Sequence, residues 1–114
     1  MPLRAFRVFG QMAKSKSIAT ITIEKQTWSV RATALALQRM RQRGVDEYVV
    51  SGTVLALGKD RLQELQEAEE EAIIIDDEKN VSVVIGFRGN RIMVVTVIDK
   101  SNVWVKKQTS IERI

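Results

Sequence analysis

IIIDDEKNVSVVIGFRGNRIMVVTVIDKSNVWVKK, residues 73–107, alternates apolar runs of strand length with short polar connections. Residues 73–76, 81–87, 91–98 and 103–107 read as four strands, and DEKN, RGN and KSN between them have hairpin length. The spacing predicts an antiparallel meander. Val81, Val83, Ile85 and Phe87 alternate with Ser82, Val84, Gly86 and Arg88, which gives one core face and one mixed face. Residues 91–98 are apolar on both sides, so that strand belongs at the centre of the sheet.

Upstream of the meander the period changes to that of helices. Residues 60–72 consist almost wholly of helix formers, and Leu62, Leu65, Ala68 and Ala72 make only a thin apolar stripe, as on a surface helix. Its Glu67, Glu69, Glu70 and Glu71 read as a solvated face. Asp46 caps a preceding helix over 47–57 that stops at Gly58, although Ser51-Gly52 and several β-branched residues leave a strand open there. Ser29 offers an N-cap for a helix over 30–43, closed by Gly44. On that helix Val30, Thr33, Ala34, Leu37 and Met40 form one stripe. Arg31, Leu35, Gln38, Arg39 and Gln42 form the other, with Leu35 an apolar residue in a basic row. Residues 17–24 alternate with period two and predict a first strand. The expected fold is therefore α+β: an N-terminal strand and two to three helices packed on a C-terminal antiparallel meander, over 17–114, preceded by a basic arm over 1–16.

With 114 residues, 45% of them hydrophobic, the chain suffices for one core. It has no Cys and no His, which excludes disulfides, thiolate and imidazole metal sites and every triad built on imidazole, and no metal or other cofactor is expected. No stretch is long and apolar enough to span a membrane, and residues 3–9, interrupted by Arg4 and Arg7, make a poor secretory core, so a cytoplasmic location is expected. The net charge of +4 hides a segregation: residues 1–43 hold nine basic residues against Glu24, residues 44–80 hold eleven acids against three bases, and residues 81–114 return to six against two. If folding joins the two basic blocks, they form a face that attracts a polyanion.

Without His, acid–base chemistry falls to residues such as Glu24, Tyr48 and Asp99, of which Glu24 and Asp99 stand at strand ends where solubilising roles are commoner. GFRGN precedes a strand rather than a helix and reads as a hairpin, not a phosphate loop. Polyanion binding has better candidates. Arg31, Arg39, Arg41 and Arg43 supply guanidinium forks that match phosphate, Arg88 and Arg91 flank the RGN hairpin, and Lys106 and Lys107 end the last strand. Trp28 and Trp104 are candidate stacking platforms for bases.

The stretch Leu35-Ala36-Leu37-Gln38-Arg39-Met40-Arg41-Gln42-Arg43-Gly44-Val45 resembles the helix signature of the RelE/ParE-like toxin superfamily, in particular the branch with a His-Ala-x-x-Arg-x-x-x-Arg-Gly-Ile pattern to which RegB-like phage endoribonucleases belong. The likeness is strong over about ten residues and extends through element order alone from residue 18 to 107. It implies a small fold that cleaves RNA through the ribose 2′-hydroxyl, with ribosome-bound mRNA among its targets and an antitoxin or other protein as partner. By matching positions, Arg39 becomes a phosphate contact, Arg43 a second matched arginine and Gly44 the helix cap. Leu35 stands where that branch has its His, so catalysis of this kind would fall to Arg88, Arg91 and Lys106, with Arg31, Arg39, Arg43 and Lys107 binding the RNA. The alternative is a non-catalytic binding or inhibitor protein of phage or mobile-element type, and a third reading uses the acidic block to hold a basic protein.

Overall fold

The computed structural model describes residues 15–101 and 109–114. Its elements run β1 (Lys16–Ile23), β2 (Gln26–Ala32), α1 (Ala34–Arg43), α2 (Glu47–Ala56), α3 (Lys59–Ala68), β3 (Ala72–Asp76), β4 (Val81–Arg88), β5 (Arg91–Ile98) and β6 (Ser110–Arg113). The six strands form one mixed sheet in the order β1-β2-β5-β4-β3-β6. β3, β4 and β5 form the expected antiparallel meander, and β5 lies inside the sheet between β2 and β4. The fold is α+β, with one strand more ahead of the helices than the sequence reading gave it. The fourth meander strand, residues 103–107, lies outside the described residues, as does nearly all of the basic arm.

The main correction concerns residues 26–32, read as the approach to and start of a helix, which instead form β2. Glu24 and Lys25 take φ of 49° and 69°, and this two-residue turn folds β2 back antiparallel to β1, pairing Ile21 with Trp28 and Ala19 with Val30. Positive φ at both central residues is the geometry that matches strand twist, but Glu-Lys is not a pair that advertises it. β2 then runs parallel to β5, with Val30 beside Ile92 and Arg31 beside Met93. Trp28, Val30 and Ala32 are buried beneath the helices.

Thr33, not Ser29, caps α1. Its Oγ1 accepts from the Ala36 amide at 3.1 Å and donates to the Val95 carbonyl at 3.1 Å, while its own amide donates to the Val94 carbonyl at 3.1 Å. Val95 is the extra residue of a β-bulge, since Ile85 pairs with Val94 but Val84 with Thr96. The bulge thus presents the carbonyl on which the helix starts. The helix ends at Gly44, as expected, with φ of 65° and the Val45 amide returning to the Met40 carbonyl at 2.9 Å. Its buried stripe is Thr33, Ala36 and Met40, with Leu37 half-buried; Ala34, assigned to that stripe from the sequence, is exposed. The helix begins four residues later than the pattern suggested, so Val30, counted in the stripe from the sequence, belongs to β2 instead.

α2 starts on its expected cap, the Asp46 carboxylate accepting from the Tyr48 amide at 2.9 Å. α3 stops at Glu69, whose φ of 55° closes it, rather than running to residue 72. Ala72 instead opens β3, all five residues of which are buried. All three helices pack on one face of the sheet, where Val50, Val54, Leu62 and Leu65 meet Ile74, Val83, Ile85, Ile92 and Val94 in a single core. No helix among the described residues is long and apolar enough to cross a membrane.

Candidate nucleic-acid interface

Strand alternation assigns the remaining sheet positions to the side that carries no described helix. Ser17, Thr20 and Thr22 of β1 pair with Arg31, Ser29 and Thr27 of β2, and Ser29 and Arg31 in turn lie beside Arg91 and Met93 of β5. Arg91 pairs directly with Arg88 of β4. Met93, beside Arg31, and Ile73 and Ile75, further across on β3, are buried on this same side although no described helix packs there. The face therefore has an apolar half under β3 and a hydroxyl- and guanidinium-bearing half from β1 to the β4–β5 hairpin.

This polar half holds three of the arginines singled out from the sequence: Arg31, Arg88 and Arg91. Arg88 and Arg91 are cross-strand neighbours, and such pairs have Cα atoms about 4.5–5.5 Å apart. Arg31 stands one strand further on, beside the position after next along β5. Its Nε donates to Ser15 Oγ at 2.7 Å and its Nη2 to the Ser15 carbonyl at 2.7 Å, which orients the guanidinium and leaves further N–H groups on its fork. The hairpin between Arg88 and Arg91 is fixed from both sides. Asn90 donates to the Thr27 carbonyl at 2.9 Å, the Ser29 amide donates to the Asn90 carbonyl at 3.1 Å, and Gln66 of α3 donates to the Gly89 carbonyl at 3.3 Å. Gly89 takes φ of 59°, which a side chain there would strain. Exposed Thr20, Thr22 and Thr27 add hydroxyls, and no strand position on this face among the described residues is a carboxylate.

The other candidates lie elsewhere. Arg31 is not in a helical row with Leu35 and Arg39, because it belongs to β2 and points to the opposite side of the sheet. Arg39 is half-buried on α1 and donates to Gln42 at 3.3 Å. Arg43 binds the end of β5, its Nη1 donating to the Val97 carbonyl and its Nε lying 3.8 Å from Asp99. It is a tether between α1 and the sheet, and Asp99 is its counter-ion. Trp28 is no stacking platform: it is 4% exposed and meets Phe87 edge-on at 6.5 Å between ring centroids. Leu35 is half-buried outside the main core, Glu24 sits in the β1–β2 turn, and Tyr48 is exposed on α2. Lys106, Lys107 and Trp104 lie outside the described residues.

Of the acidic block, Asp77 pairs at 3.0 Å with Arg113, which stands beside Ile75, while other acids lie on α2 and α3. Arg61 of α3 donates from Nε to Glu112 Oε1 at 2.8 Å and from Nη2 to Oε2 at 2.9 Å, and Ser110 Oγ donates to the same carboxylate at 2.7 Å. These hydrogen bonds hold the Glu112 carboxyl below the usual carboxylate range and raise the Arg61 guanidinium further above its own. The network fastens the four-residue β6 to α3. No cluster of three or more metal-ligating side chains occurs among the described residues.

Sequence reading identified Arg88 and Arg91 from their position around a hairpin, and it missed that the threonines of β1 and β2 extend their surface. The alternation of Thr20 and Thr22 with Ile21 and Ile23 was the available signal. No family model matches this chain, and neither a curated protein nor a solved structure is significantly similar to it.

Proposed function

We propose that the protein binds RNA through the backbone phosphates, on the face of the sheet that carries no described helix, without cleaving it. The observation that carries this reading is the grouping of Arg31, Arg88 and Arg91 with Thr20, Thr22, Thr27 and Ser29 on one face whose strand positions lack carboxylates. Guanidinium and hydroxyl groups are the usual phosphate ligands, and such contacts fix position without reading sequence. The buried Trp28 removes one of the two stacking candidates, which favours charge over base recognition. The likeness of α1 to the helix of RelE-like toxins, closed by the same glycine, supports RNA as the polyanion and a RelE-like ancestry for the fold.

Binding is favoured over the endoribonuclease reading because that chemistry needs a group to accept the 2′-hydroxyl proton. The described strand positions of this face offer arginines, which stay protonated, and hydroxyls. The test is fluorescence anisotropy of a labelled single-stranded RNA across a salt series, with the same samples run on a gel for cleavage. Three phosphate contacts predict a log–log salt slope near −2, and Arg88→Ala with Arg91→Ala should reduce it by about 1.4 while the RNA stays intact. Salt-independent binding, or none at low salt, refutes the proposal; cleavage abolished by Arg91→Ala restores the enzymatic reading.

A further inference from the structure

Among the described residues, the outer edge of β1 is a second surface without a partner. Eight residues long, it is the first strand of the sheet, and no described strand pairs with its outer side. Proteins usually protect such an edge with Pro, an inward charge, a bulge or brevity, and the one bulge of β1, at Ile18, lies before residues 19–23. β6, at the opposite edge, is four residues long, whereas β1 between residues 19 and 23 reads Ala-Thr-Ile-Thr-Ile, with no charge and no proline.

That segment is symmetric about Ile21. Ala19, Ile21 and Ile23 lie on the helix side, and Thr20 and Thr22 on the other. An antiparallel copy centred on Ile21 sets apolar residues beside apolar residues and each Thr20 beside the partner's Thr22, with every side chain on its proper face. Next to the strand lies a groove of about 920 Å³ bounded by the α1–α2 turn, with Ile18 and Leu37 in its wall. Its rim carries Arg41 and Asp46 beside the Lys16–Glu47 ion pair at 2.9 Å, a balanced set in a basic chain, and Tyr48 stands beside it 86% exposed. In the register centred on Ile21 the partner's Glu24 and the partner's Lys25 come alongside residues 16–18, so one acid and one base meet a rim of both signs. A polyanion would find no such match there.

We infer that the protein forms a two-fold dimer through antiparallel pairing of β1 with the β1 of a second copy, joining the two described six-stranded sheets edge to edge. A C2 contact of this kind uses the same patch on both chains and closes without propagating. The axis is perpendicular to the sheet, so both helix layers lie on one side and both arginine-bearing faces on the other.

The chain has no cysteine, which makes the register directly testable. Ile21→Cys places each new thiol opposite its own copy, within the Cα separation a disulfide requires. Mild oxidation should yield a covalent dimer from Ile21→Cys and far less from Thr20→Cys or Thr22→Cys, which sit off the axis. In analytical ultracentrifugation the wild type should reach twice the chain mass with rising concentration. T20K/T22K and T20E/T22E should each weaken this by about tenfold or more, and mixing the two should restore a one-to-one dimer. The mixing step separates repulsion across the interface from misfolding. A wild type that stays monomeric, equal cross-linking at all three positions, or variants that dimerise as before overturns the inference; so does a monomer that pairs only with an extended peptide of another protein. T20K/T22K and T20E/T22E also change the face assigned to RNA, so mass and cross-linking are read without RNA, and the two proposals fail separately.

Discussion

Replacing Thr33 by Val should destabilise the protein by about 2–4 kcal/mol, and the structure says where that loss arises. The side chain is 3% exposed and makes two hydrogen bonds through one hydroxyl, accepting from the Ala36 amide and donating to the Val95 carbonyl. Valine has nearly the same shape, so packing is preserved while both bonds go. Loss of an N-cap costs about 1 kcal/mol, and a shielded carbonyl left without its donor costs about 1–3 more. For a domain of this size each kcal/mol lowers the melting midpoint by roughly 3–6 °C, so the drop should be about 6–24 °C. Thr33→Ser keeps the hydroxyl and loses only a buried methyl, about 1 kcal/mol. Urea unfolding followed by circular dichroism gives both numbers. If Val and Ser are equally destabilising, or if Val costs under about 0.5 kcal/mol, the bulge carbonyl is not what the cap depends on.

Gly44→Ala should cost about 1–2 kcal/mol in the same assay, because φ of 65° is unfavourable for a residue with a Cβ; a neutral result would mean that the helix end relaxes freely. Glu24→Asn with Lys25→Gly should stabilise by about 0.5–2 kcal/mol by matching residue type to the positive φ of both turn positions, and a fall in the melting midpoint would contradict the turn geometry. The Glu112 carboxyl is held below its unfolded range by Arg61, so its stabilisation is fully present above that unfolded range and is lost as pH falls through the lowered folded value. Glu112→Gln should therefore flatten the acid limb of the stability–pH curve, and an unchanged limb would remove the Arg61–Glu112 network from acid unfolding.

Three strands of the meander, β3 to β5, were legible because they are bounded by hairpin-length polar connections, and the position of Arg88 and Arg91 around the RGN hairpin came with them. β2 was not. Ser29, Val30 and the apolar residues after it fit a helical stripe as well as a strand, and only the positive-φ turn at Glu24-Lys25, invisible in residue preferences, decides between them. That error moved Arg31 from a helix to the far face of the sheet, where it joins Arg91 instead of Arg39. Local pattern likewise gives no hint that Arg43 serves as a tether, since its carbonyl partner Val97 is 54 residues away.

The parallel contact between β2 and β5 also sets a schedule for folding. Val30 waits for Ile92, some sixty residues later in the chain, whereas the β1–β2 and β4–β5 hairpins close locally. At translation rates of about 5–20 residues per second, the first hairpin precedes its docking strand by roughly 3–12 s. An isolated hairpin is marginal in water, so for that interval the apolar side of Trp28, Val30 and Ala32 lacks the rest of its core. Closing the long loop is then the entropically costly event, and Ile92→Ala should slow refolding more than it speeds unfolding. The same interval leaves the nascent β1 edge accessible, so chain density on a polysome governs whether early pairing with a second copy competes with completion of the sheet.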